Sequence, residues 1–171
     1  GLSAWLNRPP HARDTRLKAK DSEFLRASAE HIWRFYKDWS SPANHWLVPD
    51  NVCEDRRVAQ RLSPTNAGLL LNARVAAVHL NLTSLGEFIH DTRNTLQSIE
   101  GLEKFRGHLL NWYDAESLAP LEPRFVSSVD SRNLAACLWT LKQAATEFSE
   151  RSSATEEMRS ELLEIAGTCH G

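Results

Sequence analysis

Apolar residues recur along this chain with helical periods, interrupted by two long stretches that keep no period. From about Ser22 the residues Leu25, Ala29, Ile32, Tyr36 and Trp39 follow four-three-four-three spacing, the stripe of an amphipathic helix. Ser63 then offers an N-cap oxygen and Pro64 suits the first helical position. Ala67 to Leu80 follows, apolar on nearly every side, the pattern of a buried helix. Asn72 and Arg74 interrupt that surface, and each requires a partner if buried. Ser84 and Glu87 have capping-box spacing ahead of Leu85, Ile89, Leu96, Ile99 and Leu102, whose opposite face is polar. A fourth helix, again mostly apolar, carries Leu134 to Leu141. A fifth, opened by capping-box spacing from Ser153 to Glu156, carries Met158, Leu162 and Ile165. No alternating run competes with this all-helical pattern.

The connections sort these helices into two kinds. Links from polar-faced to apolar helices are about 20 to 25 residues, and links back are about 3 to 6, the ordinary range for a helix pair. Long loops therefore fall on one face. The expected fold is all-α: a partial (α/α)6 toroid, about half a barrel, in which inner and outer helices alternate and the long loops roof the inner helices' N-termini. Residues 1–21, with Pro9-Pro10 and many charges, are expected to form a linker or approach segment, and residues 22–171 the domain. The chain starts at Gly1 rather than Met, as a piece cut from a longer protein would.

Composition narrows the partners. The 171 residues are 42% hydrophobic and 25% charged with a formal net charge of -2, an ordinary globular composition without the basic footprint of a nucleic-acid binder. The longest apolar run, Ala67 to Leu71, falls far short of the roughly 20 residues of a membrane span, so no direct membrane contact is expected of this segment. Cys53, Cys137 and Cys169 are scattered and form no spaced Cys/His set, which argues against a disulfide framework or metal site and for a reducing compartment. No cofactor is expected.

The candidate chemistry lies in the aperiodic stretches. Trp46 sits among Asp50, Asn51 and Glu54, and Trp112-Tyr113 among Asn111, Asp114, Glu116 and Glu122. Sugars present apolar ring faces that stack on indoles and hydroxyl rims that need amide or carboxylate partners, so this mixture suits a carbohydrate groove. The two apolar helices begin in related style, Ser63-Pro64-Thr65-Asn66 and Ser128-Val129-Asp130-Ser131-Arg132-Asn133, placing Asn66, Asp130 and Asn133 toward the same pocket. The plain alternatives are that Ser63 and Asp130 or Ser131 are caps and that the tryptophans are core. Glycoside cleavage needs one protonated and one ionised carboxylate at a set separation, and the loops hold too many carboxylates for spacing to choose a pair.

The motifs His45-Trp46-Leu47-Val48-Pro49-Asp50-Asn51, Arg61-Leu62-Ser63-Pro64-Thr65-Asn66-Ala67-Gly68-Leu69, Gly107-His108-Leu109-Leu110-Asn111-Trp112-Tyr113-Asp114 and Pro120-Leu121-Glu122-Pro123-Arg124-Phe125-Val126-Ser127-Ser128-Val129-Asp130-Ser131 resemble, in order, those of cyclic β-1,2-glucan synthases. The resemblance runs from about residue 22 to 150 and is to the central glucoamylase-like region of those bacterial membrane-anchored enzymes. It implies a domain that transfers and cyclises β-1,2-glucan on the cytoplasmic side. Trp46, Asp50, Asn51, Glu54, Asn66, Trp112, Asp114, Asp130 and Asn133 would line one wall of its groove. Catalytic carboxylates are then expected in a later half of the barrel, supplied by the remainder of the same polypeptide or a complementary half-barrel. Cys53 before Glu54, where the family pattern tends to Gln, and Arg132, where it tends to Gly, depart from that pattern. With the short length they favour one alternative, a non-catalytic helical scaffold or interaction domain that has lost the chemistry; a phosphorylase-related glycosyl-transferring domain is the other.

Overall fold

The computed structural model describes residues 17–55 and 57–169. Most of the expected approach segment, up to residue 16, lies outside them, as does Arg56. The chain divides into two units, Gly1–Ile32 and Trp33–Gly171. Helix α1 spans Ala19–Trp39, starting a turn before the periodicity suggests. In the first unit it exposes Phe24, Leu25 and Ile32. None of its residues is buried along its whole length, so its stripe is amphipathic without being core.

The second unit holds the core. After a 3₁₀ turn at Pro42–Asn44 come α2 (Pro64–His79), α3 (Leu85–Gly101), α4 (Ser128–Ser149) and α5 (Glu156–Thr168). Ser63 caps α2 in a full capping box with Asn66, and Ser84 caps α3 in one with Glu87, which satisfies the orphan N–H groups of both first turns. The next two starts correct the expected caps. Ser127, not Asp130 or Ser131, accepts from the Asp130 N–H to open α4, and Thr155, not Ser153, accepts from Met158 to open α5. Asp130 is thereby freed from capping and stands in the first turn of α4.

Helices α2 and α4 lie side by side and run the same way: Thr65 meets Asp130, Asn72 meets Cys137, and the His79 ring lies 5.1 Å from that of Phe148. They approach closely at Gly68, where a Cβ would stand 3.0 Å from Cys137 Sγ. Helix α3 returns against α2, and α5 packs on α4 and α3, with Leu71, Phe88, Leu141, Phe148, Leu162 and Ile165 in the shared core. The pattern of inner helices α2 and α4 and outer helices α3 and α5 is as the loop lengths predict. The inner pair is not buried all round, for Leu69, Val129 and Trp139 are exposed, Trp139 to 66%.

Arg74, in the middle of α2, is 2% exposed. Its Nη1 donates to the Asp91 carbonyl (2.6 Å) and Thr95 Oγ1 (2.7 Å) of α3, and its Nη2 to Ser40 Oγ (2.5 Å). Both hydroxyls then donate to the Trp46 carbonyl, Thr95 at 2.5 Å and Ser40 at 3.1 Å. Burial lowers the Arg74 pKa to about 10, against the opposing pull of Asp91, so the side chain stays charged at neutral pH. His45 and Trp46 both adopt positive φ (54° and 58°), a conformation that costs side-chain-bearing residues energy and turns the Trp46 carbonyl to meet the network. Asn72 fares less well: its Nδ2 reaches Cys137 Sγ at 3.2 Å, while its Oδ1 has no partner among the described residues.

Arg74→Ala is expected to cost on the order of 3 kcal/mol in urea denaturation, from the lost charged hydrogen bonds and the space left behind. Amide-exchange protection should fall first at Trp46 and Leu47. A loss spread evenly over the helices would show that Arg74 does not hold the loop.

Candidate functional site

The two long connections, residues 40–63 and 102–127, are not strands by pattern, yet short ladders order them. β1 (Arg61–Leu62) pairs antiparallel with β4 (Tyr113–Asp114), in register Arg61 with Asp114 and Leu62 with Tyr113. β2 (Lys104–Phe105) pairs with β3 (His108–Leu109) as a hairpin turned by Arg106 and Gly107, both at positive φ. The ladder between β1 and β4 sews one long loop to the other. Two further bonds reinforce it: the Ala115 N–H donates to the Gln60 carbonyl (3.2 Å), and the His45 ring meets the Glu116 carbonyl (2.8 Å). Tyr113 is fully buried, its hydroxyl accepting from the Leu110 N–H and donating to the Glu103 carbonyl, both at 2.7 Å. Burial raises its pKa, so it stays a neutral donor.

This stitching gathers most of the predicted residues at the N-termini of α2 and α4. Asp50 Oδ2 accepts from Arg61 Nη2 (3.1 Å) and Nε (3.3 Å) and, at 3.4 Å, from Asn51. Asp50 Oδ1 lies 3.5 Å from Asn66 Nδ2, and Asn66 Oδ1 is committed to the Ser63 N–H and hydroxyl (2.8 Å each). On the neighbouring helix, Asp130 Oδ1 accepts from Thr65 Oγ1 (2.5 Å), which in turn accepts from Asn133 Nδ2 (3.1 Å). The positive ends of two parallel helices favour these oxygen-rich groups. The Arg61 guanidinium lies 4.2 Å from the Trp112 ring centroid, which brings the indole into the same cluster.

Three predicted residues stand apart from it. Trp46 packs edge-on against His90 of α3, with ring centroids 5.2 Å apart. Asp114 folds back on its own turn: its Oδ1 accepts from the Ser117 N–H and hydroxyl (2.8 Å each) and the Glu116 N–H (3.2 Å). The Ser117 backbone and hydroxyl donors hold its carboxyl below the ordinary carboxylate value. Glu54 is exposed in a turn next to exposed Cys53. Arg132 is exposed too, and among the described residues it makes no ion pair.

Arg61 and Thr65 join the cluster without having been singled out by pattern. An arginine in a loop is ordinarily a solvated charge, and a threonine after proline ordinarily a first-turn residue. Only the pairing of β1 with β4 and the parallel run of α2 beside α4 give them these neighbours. The side chains form two hydrogen-bonded groups, Arg61 with Asp50 and Asn66, and Thr65 with Asp130 and Asn133, a mixture of donors and acceptors that suits an uncharged polyhydroxyl ligand better than an ion. Among the described residues no group of His, Cys, Asp and Glu side chains is placed to hold a metal, and no helix is long and apolar enough to cross a membrane.

Comparison with known proteins bears on the fold and on the kinship of the sequence. No protein-family model matches the chain. It is 37% identical over 134 residues to the cyclic beta-(1,2)-glucan synthase NdvB of Rhizobium meliloti (strain 1021), a match covering 77% of this chain and 5% of that protein. The chain thus corresponds to a short segment of that relative. Its structure resembles a glucoamylase-like protein of Bacteroides fragilis NCTC 9343, with TM-score 0.69 and 17% identity, over 95% of this chain and 37% of the other. It also resembles the beta-1,2-glucanase of Parabacteroides distasonis, with TM-score 0.66 and 15% identity, over 90% of this chain and 21% of the other. The fold is therefore a glucoamylase-like α/α toroid, present in part.

Two outcomes test the geometry. Thr65→Val should cost about 1 kcal/mol in thermal or chemical denaturation, because it removes the hydroxyl that joins the two helix starts. The depressed Asp114 carboxyl stabilises its turn above the unfolded value of 3.8, and that stabilisation is lost as pH falls through the lower folded value. Amide exchange at Ser117 should show that loss in the wild type, and Asp114→Ala should abolish the dependence.

Proposed function

We propose, from the premise that this chain is related to one segment of the cyclic β-(1,2)-glucan synthases, that residues 22–171 form the N-terminal half of a toroid domain acting on β-1,2-glucan. Its part in that domain is to bind the chain of sugars, not to cleave it. The carrying observation is that both inner-helix starts gather mixed donors and acceptors, Asp50, Arg61 and Asn66 beside Trp112 and Asp130 and Asn133 around Thr65. A glucan offers hydroxyls that both give and accept protons, so it needs such a mixture rather than a patch of one sign.

Asp50 accepts from Arg61, Asp114 from Ser117 and Asp130 from Thr65, which fits none of the three for the role of general acid; the reading puts that acid on a carboxylate elsewhere. The inner helices leave Leu69, Val129 and Trp139 exposed, apolar surface of the kind further helix pairs would cover. The remainder of the same polypeptide or a complementary half-barrel would supply those pairs. The three free cysteines accord with a cytoplasmic position for the domain.

Calorimetric titration with linear β-1,2-glucan should show saturable millimolar binding by the wild type. Trp112→Ala should bind roughly three- to tenfold more weakly, because the indole supports Arg61. Absence of saturation in the wild type would defeat the proposal. Glucose or oligosaccharide release by this chain alone would defeat the view that it only binds.

A further inference from the structure

The geometry points to the Arg61 and Asp50 pair as the part of the site that reads glucan linkage. Two neighbouring hydroxyls of one glucose, at positions 3 and 4, bind across the pair, one accepting from the guanidinium and the other donating to the carboxylate. The inference rests on the glucan-binding proposal and adds which edge of the sugar is recognised.

Arg61 is fixed from three directions. Its backbone lies in β1, with its carbonyl accepting from the Asp50 N–H at 2.7 Å. Its Nε and Nη2 both donate to Asp50 Oδ2, and its plane rests 4.2 Å from the Trp112 ring centroid. A guanidinium has five N–H donors in one rigid plane, and Oδ2 engages two of them. The remaining three have no partner among the described residues, and the side chain is 49% exposed. Beside them Asp50 Oδ1 holds only the long 3.5 Å bond from Asn66, and the Asp50 side chain keeps 20% exposure.

An approaching ligand therefore meets open donors and an underused acceptor side by side. The carboxylate repels an anion and the guanidinium repels a cation, which leaves a neutral pair of adjacent hydroxyls as the complementary group. Trp112 acts through Arg61 as a positioning residue, because the guanidinium occupies the indole face that a sugar ring would otherwise stack on. Linkage then decides binding by simple bookkeeping of hydroxyls. A β-1,2 link leaves the 3- and 4-hydroxyls of every internal glucose free, as does a β-1,6 link. A β-1,4 link keeps the equivalent pair at positions 2 and 3, whereas a β-1,3 link leaves no two adjacent hydroxyls free on an internal glucose.

The test is a calorimetric comparison of length-matched β-1,2-, β-1,3-, β-1,4- and β-1,6-gluco-oligosaccharides on the whole chain and on Arg61→Met and Arg61→Lys. The wild type should bind the β-1,2, β-1,4 and β-1,6 series alike and about tenfold tighter than the β-1,3 series, the loss expected when a charged hydrogen bond goes unmade. Arg61→Met should level the four affinities. Arg61→Lys should restore part of the preference, since its ammonium gives a donor without the fixed plane. The ratio between linkages is the decisive quantity, because a variant that folds less well lowers all four together. Equal wild-type affinities, or a preference that survives Arg61→Met, would overturn the diol assignment while leaving glucan binding intact. No wild-type binding of β-1,2-glucan would overturn both.

Discussion

A guanidinium buried among apolar side chains must find partners, and Arg74 finds them in α3, in Ser40 and, through two hydroxyls, in the carbonyl of Trp46. That requirement reaches beyond α2. An unpaired buried charge costs several kcal/mol, enough to offset the two successive positive-φ residues at His45 and Trp46. With the Trp46 carbonyl fixed, Leu47 and Val48 are seated in the buried interior. Asp50 is then delivered to Arg61 by the backbone bond between them. The position of the first loop thus follows from a polar residue in the core, and the second loop follows the first through the pairing of β1 with β4.

The parallel run of α2 and α4 has an electrostatic consequence. Two helix N-termini lie together, each with N–H groups unsatisfied by its own helix, and their dipoles add. Ser63 with Asn66, and Ser127, take the capping role, which leaves Thr65, Asp130 and Asn133 to interact across the gap. The same proximity needs Gly68 where the helices come closest. Packing and site are in this respect one arrangement: the contact that joins the inner helices also sets the spacing of the groups at their ends.

The helices and their order are legible in the sequence because a 3.6-residue period reports a buried face directly, and the capping boxes at Ser63 and Ser84 mark two starts. The caps at Ser127 and Thr155 are harder to place, since Ser127 stands in a run with Ser128, Asp130 and Ser131 that offers several oxygens. The four strands are two residues each, too short for alternation to show. For that reason the neighbours of Arg61 are hidden: they come from residues far apart in sequence, joined by backbone pairing that side-chain pattern does not encode. Trp46 sits in a motif as suggestive as that of Trp112, and Asp114 in the same motif as Trp112, yet local geometry turns one onto His90 and the other onto Ser117.

That one edge of the molecule, built from both long loops and both inner-helix starts, receives the glucan is the claim most directly tested by mapping backbone amide shifts on titration with linear β-1,2-glucan. The account predicts that the shifted amides form one continuous set around Asp50, Arg61, Asn66, Trp112, Asp130 and Asn133, with α5 and the polar face of α3 unmoved. Shifts centred instead on the exposed flank of Leu69, Val129 and Trp139, or scattered without a centre, would contradict it.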